Sequence, residues 1–217
     1  MTPEEPGCPA PRGSYEIPEA AIIDCGVGNL FSISCALRRG GLDTKIISAS
    51  SDLRNADAIV LPGVGNFKAG SRNLRILRQD IVTLVEAGVP LLGVCLGMQL
   101  LFEKSQESLG DGLHVLQGKV LRLPWSVKTP HMGWNTLEVF KPDGILDGVG
   151  GDDYFYFVHS YYADPEDKDI VVAETDYGLS FASAIARGNV YGTQFHPEKS
   201  GRPGELVLRN FAGIVKR

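Results

Sequence analysis

A chain of 217 residues, 43% hydrophobic and 22% charged, carries enough apolar material for one large domain or two small ones. Its net charge of −5 argues against nucleic acid as a partner, and its longest mostly apolar stretch, residues 89–102, is too short for a bilayer span of roughly 20 residues. Four cysteines without C-x-x-C spacing indicate neither a metal site nor a disulfide framework.

The N-terminal stretch, residues 1–19, mixes Pro3, Pro6, Pro9, Pro11 and Pro18 with glycine and charge, and reads as a mobile tail with no assigned function. It is acidic, without the basic start of a secretory leader, so the expected location is the cytoplasm. From residue 20 onward, residues 20–217 read as one domain. Residues 20–25 form a buried strand, followed by Gly26-Val27-Gly28-Asn29. Residues 30–39 carry apolar side chains at 30, 33 and 37, an amphipathic helix ended by Gly40-Gly41. Strands follow at 44–48 and 58–61, then Pro62-Gly63-Val64-Gly65-Asn66, then helical segments to Ala87 with Gly88 as C-cap. Residues 91–94 are a strand and 96–103 are good helix formers. This alternation predicts an α/β fold, a mostly parallel doubly wound central sheet with helices on both faces.

Beyond residue 102 the texture changes. Segments 119–123, 134–140, 154–162, 170–174, 182–187 and 190–195 read as strands separated by Gly, Asp and Pro, which predicts an antiparallel β extension. A helix over 204–215 closes the chain. The tetrapeptide Gly-Val-Gly-Asn occurs at 26–29 and at 63–66, each time after a strand. Both loops should therefore lie at the carboxyl edge of the sheet, where open α/β folds bind ligands.

The chemistry concentrates at Gly93-Val94-Cys95-Leu96-Gly97. A strand, a sharp turn and a helix, with glycine two residues either side of a nucleophilic side chain, form a nucleophile elbow with sulfur in the serine position. A thiol at a helix N-terminus is also biased towards thiolate. A thiol nucleophile needs a base and a group to orient it. Gln194-Phe195-His196-Pro197-Glu198 supplies both, since Pro197 favours extended backbone at His196 and residues two apart in extended chain share a face. The Leu96 amide is the expected first donor to an oxyanion, with a second from Gly63-Val64-Gly65, that is, from Val64 or Gly65. Other readings stand beside these. Cys25 and Cys35 read as packing, His114 as structural, and the 63–65 loop could be a plain tight turn; as a phosphate loop it lacks a third glycine or a Gly-Lys-Ser/Thr ending.

These residues resemble the class I glutamine amidotransferases, from about residue 20 to the C-terminus. Within that class the chain is similar to the glutaminase subunits of imidazole glycerol phosphate synthase. The segments that carry the likeness are Gly93-Val94-Cys95-Leu96-Gly97-Met98-Gln99-Leu100-Leu101-Phe102, Pro130-His131-Met132-Gly133-Trp134-Asn135, Tyr156-Phe157-Val158-His159-Ser160-Tyr161, and Gly192-Thr193-Gln194-Phe195-His196-Pro197-Glu198-Lys199-Ser200-Gly201. The resemblance implies Cys95 as nucleophile, His196 as base and then acid, and Glu198 as its orienter. It implies that Gly65, Gln99, Ser160 and Tyr161 face a bound glutamine, with no cofactor or metal required. One departure is Asp24-Cys25-Gly26 where the family shows Asp-Tyr-Gly, which leaves position 25 without an assignment.

The implied reaction is hydrolysis of glutamine through a Cys thioester, with ammonia passed to a synthase of histidine biosynthesis. Ammonia released into neutral water becomes mostly ammonium, a poor nucleophile, so a dry path into a partner is expected. The resemblance implies a (β/α)8-barrel cyclase as that partner, in a heterodimer, with Asn29 facing it. Met132 and Trp134 read either as anchors of that interface or as core packing. Competing functions are an amidotransferase subunit of another synthase, such as one making anthranilate or guanylate, and a non-catalytic regulatory subunit of the same fold. A cysteine peptidase fits less well, because nothing suggests an extended peptide cleft. The glycine composition of residues 63–65 further predicts an oxyanion loop that is misaligned until the partner binds.

Overall fold

The computed structural model describes residues 17–217 apart from 25, 27, 28, 54 and 143. The expected tail, except residues 17–19, and the expected packing of Cys25 lie outside the described residues. Chain entry is tied down early, because Asp43 N–H donates to the Pro18 carbonyl at 2.9 Å.

The first half alternates as the apolar pattern predicts. β1 (Glu19–Ile23) leads to α1 (Leu30–Gly40), β2 (Asp43–Ile47) and β3 (Ala58–Leu61), then to α2 (Phe67–Leu74), α3 (Arg78–Glu86), β4 (Leu91–Val94) and the short α4 (Leu96–Gln99). α1 starts where the Asn29 side chain accepts the Ser32 N–H, and stops where Gly41, at φ 101°, returns its N–H to the Arg38 and Leu37 carbonyls. The second half is strand-rich: β5 (Lys104–Ser105), β6 (Gly118–Arg122), β7 (His131–Asn135), β8 (Glu138–Val139), β9 (Phe155–His159), β10 (Tyr161–Pro165), β11 (Val171–Asp176), β12 (Ser180–Arg187) and β13 (Val190–Thr193), closed by α5 (Gly201–Val215).

Eight strands form the central sheet in the order β2-β1-β3-β4-β13-β12-β11-β8. The first five pair in parallel and the last three antiparallel, so only part of the predicted extension continues the central sheet, and β13, expected within that extension, instead lies parallel to β4. Two small sheets, β10-β6-β5 and β7-β9, lie apart from it. Alternation along β3 sets the two layers of core. Ile59 and Leu61 pack with Phe67, Leu74 and Ile81 of α2 and α3, whereas Ala58 and Val60 pack with Ile33 and Leu37 of α1 and Leu208 and Phe211 of α5. Each fully buried Leu, Ile or Phe there contributes about 1.5–3 kcal/mol. Among the described residues, no helix is long and apolar enough to cross a membrane.

Three expected elements are corrected. The helix over 96–103 ends at Gln99, because the Leu100 carbonyl accepts Leu113 N–H at 2.7 Å and the Leu101 carbonyl accepts Val115 and Leu116 N–H at 3.0 Å each. The expected strand 134–140 is two strands in different sheets, broken where the Asn135 side chain accepts the Thr136 N–H at 2.9 Å. The expected strand 154–162 also breaks, at Ser160, so that β9 pairs with β7 and β10 with β6. Val158, His159, Ser160 and Tyr161, around that break, line a cavity beside Cys95.

Candidate active site

β4 and β13 pair in parallel, with Val94 opposite Thr193. Sheet register therefore brings the residue after β4 next to the residues after β13, despite a separation of a hundred positions. The Cys95 N–H donates to the Thr193 carbonyl at 2.7 Å, and Cys95 sits at φ 53°, ψ −106°, a conformation that L-residues seldom adopt. Crowding explains the flanking glycines. A Cβ at Gly93 would lie 2.7 Å from the Gly97 carbonyl carbon, and one at Gly97 would lie 1.7 Å from the Leu61 carbonyl oxygen. α4 spans four residues, so its dipole adds little at Cys95.

His196 follows β13 in extended conformation and leads into a 3-10 turn, Pro197–Lys199, that swings Glu198 back to it. The His196 backbone is fixed at both ends: its N–H donates to Tyr156 O at 2.9 Å, and its carbonyl accepts the Ser200 hydroxyl at 2.6 Å. His196 Nδ1 lies 2.8 Å from Glu198 Oε1, with both side chains buried. A carboxylate accepts, so Nδ1 keeps its proton towards Glu198, and Nε2 is the nitrogen left for chemistry, donating when the ring is charged and accepting when it is neutral. Nε2 is buried and makes no hydrogen bond with the protein. Burial pulls the imidazole pKa down, but the Cys95 sulfur and then the Glu198 carboxylate more than offset this and raise it to about 10. The charge of the sulfur acts through space here, since Nε2 makes no aligned bond.

On the other side of Cys95 lies a cavity of about 240 Å³. Val64, Gly65, Leu96, Gln99, Ser160 and Tyr161 line it with Cys95, so the structure gathers the expected oxyanion and substrate residues around one space. The Leu96 N–H, however, donates to the Gly63 carbonyl at 3.3 Å rather than into the cavity. Gln99 is buried, its Nε2 donating to Tyr161 O at 2.7 Å and to Gln194 Oε1 at 3.1 Å.

The sequence reading missed four neighbours. Glu107 lines the cavity and accepts the Phe67 N–H on Oε2 at 2.6 Å. Gln194 Nε2 lies 3.6 Å from Cys95 Sγ. His159 also lines the cavity; its Nδ1 donates to Tyr161 O at 2.9 Å and its Nε2 lies 3.1 Å from His131 Nδ1. Burial, with the neighbouring histidine charge second, lowers the His159 pKa to about 3, and burial lowers that of His131 to about 4. His131 and His159 stand in the segments 130–135 and 156–161 that carry the family likeness, but only the β7–β9 register, His131 opposite His159, pairs them.

Asn29, Met132 and Trp134 lie outside this cavity. Asn29 caps α1 and lines a separate gap of about 30 Å³ with Val64, His196 and Glu198. Met132 and Trp134 are 63% and 56% exposed, so neither is core.

Comparison with known proteins shows the family. The family model for glutamine amidotransferase class-I matches residues 21–214. The chain is 50% identical to imidazole glycerol phosphate synthase subunit HisH of Methanothermobacter thermautotrophicus, over 90% of this chain and 98% of that protein. It is 47% identical to the HisH subunit of Moorella thermoacetica, over 90% and 95% of the two chains. It is likewise 47% identical to that of Archaeoglobus fulgidus, over 91% and 99%. Among solved structures, PurLQS from Thermotoga maritima superposes with a TM-score of 0.75 at 20% identity, covering 91% of this chain and 98% of that one. A glutamine amidotransferase from the same organism superposes with a TM-score of 0.63 at 18% identity, covering 85% and 77%. The chain belongs to the class I glutamine amidotransferases, in the branch of the imidazole glycerol phosphate synthase HisH subunits.

Proposed function

We propose that residues 20–217 act as one domain that hydrolyses L-glutamine to glutamate and ammonia through a thioester on Cys95. The ammonia passes to a (β/α)8-barrel cyclase, which forms imidazole glycerol phosphate and an aminoimidazole carboxamide ribotide. The observation that carries this reading is the His196 imidazole, fixed through Nδ1 by Glu198 and buried with Nε2 unpaired beside Cys95 at a strained elbow. In the first half-reaction the Cys95 sulfur bonds to the side-chain carbonyl carbon of glutamine. The protonated His196 then gives its Nε2 proton to the departing nitrogen, and ammonia leaves. In the second, His196 takes a proton from water, the resulting hydroxide attacks the thioester carbon, and the C–S bond breaks to return the thiolate and release glutamate.

Glu107 supports an amino-acid substrate. One of its oxygens holds Phe67 N–H, which leaves the other to face an α-ammonium group in the cavity. Met132 and Trp134 are exposed, the Trp134 ring lies 5.8 Å from that of Tyr156, and Lys199 lies over the Tyr156 ring at 5.7 Å, which supports a partner surface near the site. A regulatory subunit without chemistry has no need of an oriented imidazole, and HisH relatives at 47–50% identity disfavour a synthase making anthranilate or guanylate. Replacing Cys95 by alanine should abolish glutamine-dependent turnover while a complex with the cyclase still uses added ammonium salt. Retention of glutaminase activity by that variant would overturn the assignment.

A further inference from the structure

Cys95 Sγ is approached by a donor that the proposed triad does not include. The Gln194 side chain is fully buried, its backbone N–H is fixed to Ser183 O at 2.8 Å, and its Nε2 lies 3.6 Å from the sulfur. At such a position the identity of the facing atom decides the effect. An N–H stabilises a thiolate, whereas a carbonyl oxygen repels it.

The orientation follows from a chain of obligatory roles. Tyr161 O is a backbone carbonyl and can only accept, so the Gln99 end 2.7 Å away must be its NH2 group. The second proton of that group is then available to Gln194 at 3.1 Å, which requires Gln194 to present Oε1. Gln194 must then turn its own NH2 group to Cys95. His159 Nδ1 donates to the same Tyr161 carbonyl at 2.9 Å and holds the origin of the chain. The Val158 carbonyl, 3.9 Å from Sγ, suits only the protonated thiol, so it opposes ionisation where Gln194 favours it.

We propose that the Gln194 carboxamide is a further catalytic residue of this site, donating an N–H to the Cys95 thiolate, and that Gln99 positions it by fixing its amide orientation. The inference rests on the thioester reading above and deepens it. A donor to sulfur raises the fraction of thiolate available for attack. It acts again when the thioester C–S bond breaks, because the electron pair then returns to sulfur and needs the same stabilisation.

The test reads the Cys95 thiolate directly, by following iodoacetamide alkylation of the Cys95 peptide by mass spectrometry across pH. The titratable groups facing or flanking the sulfur are His196 with Glu198, His159 with His131, and Glu107, and all remain in every variant. Gln194→Met, which keeps length but loses the donor, should move the alkylation midpoint up by about one pH unit, about tenfold in rate below it. Gln194→Glu should move it further, and Gln99→Met should move it in the same direction by less. Unchanged midpoints in the folded Gln194 variants would overturn the proposal. An unreactive Cys95 in the wild-type chain would instead overturn the thioester reading. Independently of any variant, the Gln194 side-chain amide resonances of the wild-type chain, assigned through its backbone, should shift when Cys95 is S-methylthiolated. Resonances that do not move would also overturn it.

Discussion

The backbone N–H of Leu96 donates to the carbonyl oxygen of Gly63 at 3.3 Å. The same N–H follows the nucleophile at the elbow and is the natural donor to a tetrahedral oxyanion. While it is bonded to Gly63 it cannot stabilise that charge, and the Gly63 oxygen adds repulsion nearby. Freeing it requires the peptide between Gly63 and Val64 to turn, and Val64 and Gly65 line both the cavity rim and, in the case of Val64, the gap beside Asn29. The isolated chain should therefore hydrolyse glutamine about 10²–10³-fold more slowly than the chain bound to its cyclase. Steady-state glutaminase assays with and without the partner check this, and equal rates would show that the loop is not a gate.

Glu107 reaches the cavity from a loop held by the Phe67 N–H. Glu107→Gln keeps an acceptor for that N–H and removes the charge proposed to meet the substrate ammonium. KM for glutamine should rise about 10- to 100-fold with a much smaller change in kcat. A kcat loss at constant KM would place Glu107 in loop positioning instead.

The tight approach at the elbow makes Gly97 the position least able to change. Its substituted Cβ would meet the Leu61 carbonyl at 1.7 Å, and that carbonyl belongs to a central strand with no room to withdraw. Gly97→Ala should lose at least about 3 kcal/mol, the upper range for overpacking, or about 6–12 °C in Tm for a chain of this size. Gly213→Ala, in α5 with nothing near its Cβ, should be neutral or slightly stabilising. Thermal scans of the two variants together separate steric crowding from a general intolerance of substituted glycines.

What the sequence reveals of this site is local. The glycine bracket at 93 and 97 is readable because steric crowding allows few other residues. The parallel pairing that sets Val94 opposite Thr193 is not, because strand order is a tertiary property and segment 190–195 reads as part of the antiparallel extension. His196 and Glu198 are readable as a pair because they are two residues apart. Glu107 meets Phe67 across 40 positions and a loop, and no periodic pattern announces such a contact. The break at Ser160 is hidden for another reason: apolar and aromatic residues continue through it, and only a change of pairing partner ends the strand. The direction of the Gly63 carbonyl is a peptide orientation, which residue type does not encode where glycine permits several. Helix 96–103 fails likewise, because its carbonyls are taken by residues 113–116 in a tertiary contact that helix propensity does not contain.

The paired histidines make acid stability a readout of the fold around the cavity. His159, lowered to about 3 by burial and then by its neighbour, and His131, lowered to about 4 by burial, are neutral in the folded chain at pH values where an unfolded histidine, at about 6.5, is already charged. Between these values the unfolded state binds more protons, so stability rises with pH across the window and falls as pH drops from 6.5 towards 4. His196 acts in the opposite sense. Its folded pKa is raised to about 10, so its contribution is complete below pH 6.5 and is lost as pH rises towards 10. In the range of about pH 5–5.5 His196 is protonated in both states and most carboxylates have yet to titrate, which leaves the pair to set the slope. Urea unfolding across this range should show about two protons linked to unfolding in the wild-type chain. His131→Phe, which keeps a ring against Phe157 and Tyr177, should show about one. The same slope in both would mean that His131 exchanges its proton freely in the folded state and that the neutral pair does not hold the cavity wall.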